Sequence, residues 1–252
     1  MTRIFRTSFF TSIIFTLIYV VMLYPLVLID TLRLYDLLLV GLSIGPGFLI
    51  MALIYNLDIQ NKEPLWLLAI TYIIGAVILF IDIDLLKYLL SFIDVDNNIV
   101  STGIEALTVA STEELLKFLV VILIIYPNKH FDEPFDGIVY CVFVGMGFAT
   151  VENLTFVLQG SASLAIMRMV TAVPAHFVFA VIMGFYLGKT KSHKKGHSLF
   201  IVLSLLIPIL FHAAYDYFLF MEFIPGVWIG GIITLVIALF IAKKSILEHM
   251  KA

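Results

Sequence analysis

Cysteine is almost absent from this 252-residue chain: Cys141 is the only one. No intramolecular disulfide can form, and the redox compartment is left open. Cys141 lies in an apolar run, where a small buried hydrophobe is its expected role. Charge is scarce too. Asp, Glu, Lys and Arg make up 13% of the residues, about half the share usual in soluble domains. There is no basic tail and no nucleic-acid signature. No internal repeat or low-complexity linker divides the chain, so 1–252 is expected to be a single domain. No His-Glu-x-x-His occurs, which removes the zincin and site-2-type patterns. Tyr215-Asp216 supplies half of an intramembrane aspartyl pattern, and the Gly-x-Gly-Asp half is missing.

What the chain has is apolar length. Hydrophobic residues make up 62%, and the mean hydropathy is +1.10. The fold class implied is all-α: a polytopic membrane protein with about eight transmembrane helices around an intramembrane polar site. The apolar segments run roughly over 9–29, 35–55, 65–81, 103–126, 136–158, 165–188, 198–220 and 224–242. The first follows Arg3 and Arg6, but it is longer than a signal-peptide core and no A-x-A-like site follows it. It is therefore expected to be a retained span. The acidic stretch 82–98 has amphipathic character and is expected at the interface.

Lys and Arg divide unevenly between alternate loops. With the N-terminus inside, eleven fall on the cytoplasmic side, including Lys62, Lys129 and the cluster Lys189, Lys191, Lys194 and Lys195. Three fall outside (Arg33, Lys87 and Arg168), and Lys117 lies in mid-span. The positive-inside rule places both termini in the cytoplasm of a multi-pass cell-membrane protein, with the lysine cluster against anionic headgroups. That topology puts Glu113, Glu152, His176 and His212 in the outer half of the bilayer or near its midplane. A shared depth is the internal sign that they belong together.

These residues are costly where they are. Each of Glu113, Glu114 and Lys117 costs on the order of 3 kcal/mol to insert at mid-depth. Lys117 follows Glu113 by four positions and Glu114 by three, so either carboxylate can meet it on one helical face. The pairs can be structural ties between helices, or Glu113 can be a general base. Burial and a neighbouring carboxylate tune a glutamate for taking a proton from water. Glu152 shares a helical face with Phe148, and the following Asn153 can cap or bridge helices. Pro174 precedes His176 and can kink its span. His212 and Asp216 lie four apart, so Asp216 can fix the His212 tautomer. The same residues could hold Zn²⁺, with Glu113, Glu152, His176 and His212 as the ligand set. A proton-coupled transporter would also bury such groups, although an internal repeat is missing. Gly41-x-Ser43-x-Gly45 matches a nucleophile elbow only in letters, because it lies within an apolar span. Gly184-x-x-x-Gly188 and Gly226-x-x-x-Gly230 are candidate helix-packing pairs.

Taken together, Glu113-Glu114-Leu115-Leu116-Lys117, Phe148-Ala149-Thr150-Val151-Glu152-Asn153, His176 and His212-Ala213-Ala214-Tyr215-Asp216 resemble the PrsW family of intramembrane proteases. That family is distantly related to CAAX prenyl proteases, within the glutamic-type membrane peptidases. Asp136-Gly137 and Glu63-Pro64 add to the resemblance, which covers about 55–220. Phe-x-x-x-Glu stands where CAAX proteases carry Phe-x-x-x-His, and His-x-x-x-Asp where they carry His-x-x-x-Asn. Glu-Glu-x-x-Lys replaces Glu-Glu-x-x-x-Arg. The resemblance implies a peptidase that cuts a single-span membrane protein near its extracytoplasmic side, an anti-sigma factor being the known kind of substrate. The expected catalytic set is Glu113, Glu114, Lys117, Glu152, His176, His212 and Asp216. No cofactor is expected in the glutamic reading, and Zn in the metal one. The expected partners are the lipid bilayer and the single-span substrate, without nucleic acid.

Overall fold

The computed structural model describes residues 34–81, 98–158, 161–192 and 196–250. The expected first span and nearly all of the acidic stretch 82–98 lie outside the described residues. Every regular element among the described residues is helical. They are α1 (Leu34–Leu57), α2 (Leu65–Ile78), α3 (Asn98–Val120), α4 (Pro134–Leu158), α5 (Ala162–Val170), α6 (Ala172–Ser192), α7 (His197–Phe220) and α8 (Trp228–His249). A π-helical turn, Val121–Ile125, continues α3.

Among the described residues, five stretches are long and apolar enough to cross a membrane: α1, α4, α5 with α6, α7 and α8. Helix α2 is apolar but shorter, and α3 carries Glu105, Glu113, Glu114 and Lys117. The outward faces are apolar: Phe240 is 70% exposed and Leu123 68%. The buried positions include Glu114, Lys117, His176, His212 and Asp216. That inversion suits a lipid solvent and is unaffordable in water, where apolar surface is covered first. The chain is a multi-pass membrane protein.

Between helices in lipid, close packing takes over from the hydrophobic effect. Helix α4 is the pillar, packed on α6, α2 and α1. At its glycines, α4 meets α2 and α6 backbone to backbone. A Cβ added at Gly184 would sit 2.2 Å from the Gly137 carbonyl oxygen, and one at Gly147 would sit 2.1 Å from that of Tyr72. The Gly184-x-x-x-Gly188 pair is therefore spent inside the chain, on the α4–α6 seam. Gly226 does not behave as its partner motif suggests. It lies in the turn before α8 with φ +81°, so only Gly230 faces a neighbouring helix, against the Phe218 ring.

The sixth apolar segment differs from expectation. It is two helices, and the break falls at Thr171 (φ −121°, ψ −66°). Pro174 sits in the first turn of α6, where its missing N–H has no intrahelical partner to lose. It starts a helix and does not kink one. Ser43 donates to the Leu39 carbonyl oxygen at 2.9 Å, within an unbroken α1. No elbow exists there.

At one end of the bundle, α2 is tied to α4 by carboxyl groups. Tyr140 donates its hydroxyl to Glu63. Asp136 accepts the backbone N–H groups of Asp132 and Glu133 at 2.8 and 2.6 Å. Burial, helped by the Asp136 charge and opposed by the Tyr140 hydrogen bond, pushes the Glu63 carboxyl up to about 8. Burial also pushes Asp58 up to about 6, against the pull of Lys62.

Two outcomes follow. A folded-state value above the unfolded one favours the native state at low pH, and the contribution drains away as pH rises through the folded value. Thermal stability should therefore fall between about pH 4.5 and about pH 8 on account of Glu63, and Glu63→Gln should flatten that slope in melting curves. Gly184→Val should cost about 2 kcal/mol or more by forcing the α4–α6 seam apart, read as a lower melting temperature in detergent.

Candidate active site

Helix α3 brings Glu113, Glu114 and Lys117 to the centre of the bundle, one turn before the π-helical turn at Val121. The Lys117 ammonium lies 2.8 Å from Glu114 Oε1 and 3.2 Å from Glu113 Oε2. One lysine therefore serves both carboxylates, where the sequence allowed either. It also lies 3.4 Å from His176 Nδ1 and 4.1 Å above the Phe148 ring. The ring face adds attraction for a desolvated cation.

Helices α6 and α7 bring the two imidazoles together, 5.5 Å apart and edge to face. His212 Nδ1 is 3.0 Å from Glu114 Oε1, and its Nε2 is 3.3 Å from Asp216 Oδ2. Phe179 stacks on the His212 ring at 4.8 Å, which holds the plane in which those nitrogens point. Helix α4 supplies Glu152, with Oε2 at 2.6 Å from His176 Nε2. All seven residues singled out from the sequence meet in one connected cluster drawn from α3, α4, α6 and α7.

Glu113 and Glu114 are not equivalent. Glu113 lines a cavity of about 290 Å³ together with Glu152, His176, His212 and Asp216. Glu114 lies behind it, 1% exposed, bonded to Lys117 and His212. The far wall is apolar, formed by Val109, Phe156, Met167, Leu219 and Phe220.

Arg168 was noted in the sequence only as a charge near the outer end of a span. It donates from Nη2 to Glu152 Oε1 at 2.7 Å and from Nε to Asn153 Oδ1 at 2.8 Å. Asn153 does bridge helices, as one of its two open roles proposed. The expected topology held a signal for it, because a cation that the positive-inside count leaves on the minority side needs a reason to be there.

The donor chemistry fits a divalent cation. Glu113, Glu152 and His176 form one set, and Glu113, Glu114 and His212 another, each with ligand atoms within 4.8 Å of one another. Carboxylate oxygen and imidazole nitrogen are zinc donors. Glu114 Oε2 is buried without a hydrogen-bond partner, and the close approach of Glu152 to His176 is not aligned as an N–H donation. Four carboxylates face two fixed cations in the cluster (Glu113, Glu114, Glu152 and Asp216 against Lys117 and Arg168). Two further positive charges, such as one divalent cation would bring, would make up the difference.

Replacing Lys117 with Met should leave a buried carboxylate uncompensated and cost about 3–5 kcal/mol. Thermal unfolding in micelles would read this, and adding Glu114→Gln should recover part of it.

Residues 63–242 match the family described as PrsW family intramembrane metalloprotease. The chain is 34% identical to Protease PrsW of Geobacillus kaustophilus, over 76% of this chain and 84% of that protein. It is 34% identical to Protease PrsW of Bacillus subtilis, over 72% and 82% of the two chains. It is 35% identical to Protease PrsW of Oceanobacillus iheyensis, over 70% and 80%. No solved structure matches it.

Proposed function

This chain belongs to the PrsW family of intramembrane metalloproteases, and from that premise we propose that it is an endopeptidase cutting a single-span membrane protein near its extracytoplasmic side, with Glu113 activating the attacking water. The observation that carries the residue assignment is the cavity. Of the two adjacent glutamates, only Glu113 borders the space where a peptide bond could sit.

Glu113 takes a proton from water held in the cavity, and the water oxygen attacks the scissile carbonyl carbon. Positioned general bases of this kind contribute about 10²–10⁴-fold. Glu114 anchors Lys117 and His212 and is not itself presented to substrate. His176 and His212 face the same space, where an imidazole can donate to the developing oxyanion or protonate the departing amine. Asp216 at 3.3 Å orients His212 for that step. Glu152 holds His176 from the opposite side. No covalent intermediate is required.

If a divalent cation of the zinc type is resident, Glu113 would hold it with Glu152 and His176, or with Glu114 and His212, and it would supply Lewis-acid polarisation and a more acidic water. The metal-free reading rests on a different observation: Lys117 already reaches both carboxylates and His176.

About eight spans with both termini in the cytoplasm would set the cluster in the outer half of the bilayer. That depth supports a cut on the extracytoplasmic side. An anti-sigma factor is a substrate of suitable form. The transporter reading has no observation of its own and is set aside by the family.

The test is cleavage of a single-span substrate carrying an extracytoplasmic stalk, by purified protein in detergent. Glu113→Gln should lose at least about 10²-fold of the activity, and His212→Ala should be similarly impaired. Full activity in Glu113→Gln would overturn the assignment. Metal content measured on the same preparation separates the two readings. Inhibition by chelator with recovery on Zn²⁺ supports the metal form, and chelator-insensitive cleavage without bound metal supports water activated by the glutamate alone.

A further inference from the structure

Helix α5 stands apart from the rest of the bundle in how it is held. It is nine residues long, starts at Ser161, whose side chain accepts from the Leu164 N–H, and ends at the break at Thr171. Its buried residue Ala165 does not join the main apolar core. It packs with Leu39 and Val157 in a separate small cluster, with Leu42 and Ala162 against it. Ile166 and Val170 face outward, each half exposed or more. The apolar grip on α5 is therefore small, and it is independent of the core that holds α4 and α6.

The second grip is Arg168, in the last turn of α5. Its guanidinium reaches three residues of α4: Glu152, Asn153 and the ring of Phe156, 4.2 Å away. A charge-assisted pair with a second, directional bond fixes orientation as well as distance. A lysine would supply the charge without the fork. Met167, Arg168 and Thr171 line the same cavity as Glu113 and His176. One side chain thus joins the rim of the cavity to a carboxylate inside it. Glu152 is held between two partners, Arg168 at Oε1 and His176 at Oε2. Arg168 is the second anchor of the carboxylate, bonded to the oxygen that His176 does not touch.

We propose that Arg168 is a positioning residue for the peptidase reaction, fixing Glu152 against His176, and that α5 is a cover over the cavity latched to α4 by this same side chain. The positioning half rests on the proposed peptidase mechanism, and the cover does not. A peptide must displace α5 to reach Glu113, and reclosure restores the Arg168–Glu152 contact around the bound substrate. Binding would thereby be linked to the assembly of the reactive cluster.

The test has two readouts. The first needs no activity. Cys141 is replaced by Ala, and Ala175, a buried residue lining the cavity, by Cys. Its modification by a water-soluble maleimide is then timed in micelles. Arg168→Gln should speed labelling about ten-fold, and Arg168→Lys by less. An unchanged labelling rate overturns the latch, whatever the protease assay shows. The second is kinetic. Arg168→Gln should lower kcat about 10²-fold with KM within a few-fold, Arg168→Lys should recover part of the loss, and combining Arg168→Gln with Glu152→Gln should be no worse than Glu152→Gln alone. A loss confined to KM, or a fully additive double variant, overturns the positioning role. Should the wild type cleave none of the substrates, the peptidase mechanism fails and the positioning role with it, while the labelling result still decides the latch.

Discussion

A single ammonium group sits where the polar side chains of α3 and α6 converge. Lys117 is within reach of Glu114, Glu113 and His176 at once. An isolated ion in a low-dielectric interior is prohibitively costly, and it is retained only with partners on several sides. The requirement runs both ways. Glu114 needs Lys117 and His212, His212 needs Asp216, and Glu152 needs His176 and Arg168. Satisfying them all forces α3, α4, α6 and α7 into one arrangement. The rest of the bundle can be seen as the scaffold that lets these groups meet away from lipid.

That scaffold depends on α4. Glycines on two of its faces admit the backbones of α2 and α6 directly, so the carbonyls and N–H groups of three helices are shielded together. The carboxyl tie of Glu63 to Tyr140 fixes α2 to α4 at one end, and the cluster of ionisable groups joins α4 to α3, α6 and α7 farther along. Helices α7 and α8 face lipid more openly and carry His212 and Asp216 on the inward stripe of α7.

Much of this could be read from the residues, for physical reasons. Intramembrane charge is so costly that Glu113, Glu114, Lys117, Glu152, His176, His212 and Asp216 identified themselves. Hydropathy placed α1, α4, α7 and α8 to within a few residues of their ends, except that α8 extends well beyond the apolar run through Lys243 and Lys244. The break at Thr171 was not legible, because a threonine between apolar residues gives no local signal and Pro174 offered a decoy. Nor could hydropathy show that Arg168 turns inward, since an arginine near a span end is ordinarily at the water interface. The choice between Glu113 and Glu114 needed the cavity. Adjacent helical residues differ by about 100° in direction, and the sequence does not say which direction is inward.

The make-up of the cavity has a bearing on how the molecule could be inhibited. The glycines of the α4 seams set the spacing of the helices and do not line it, so a bound compound would meet side chains. Those of Met167, Phe156 and Leu219 can change rotamer and adapt to it. A small molecule anchored on the carboxylates and imidazoles would meet groups common to many hydrolases. Discrimination would have to come from the adaptable side.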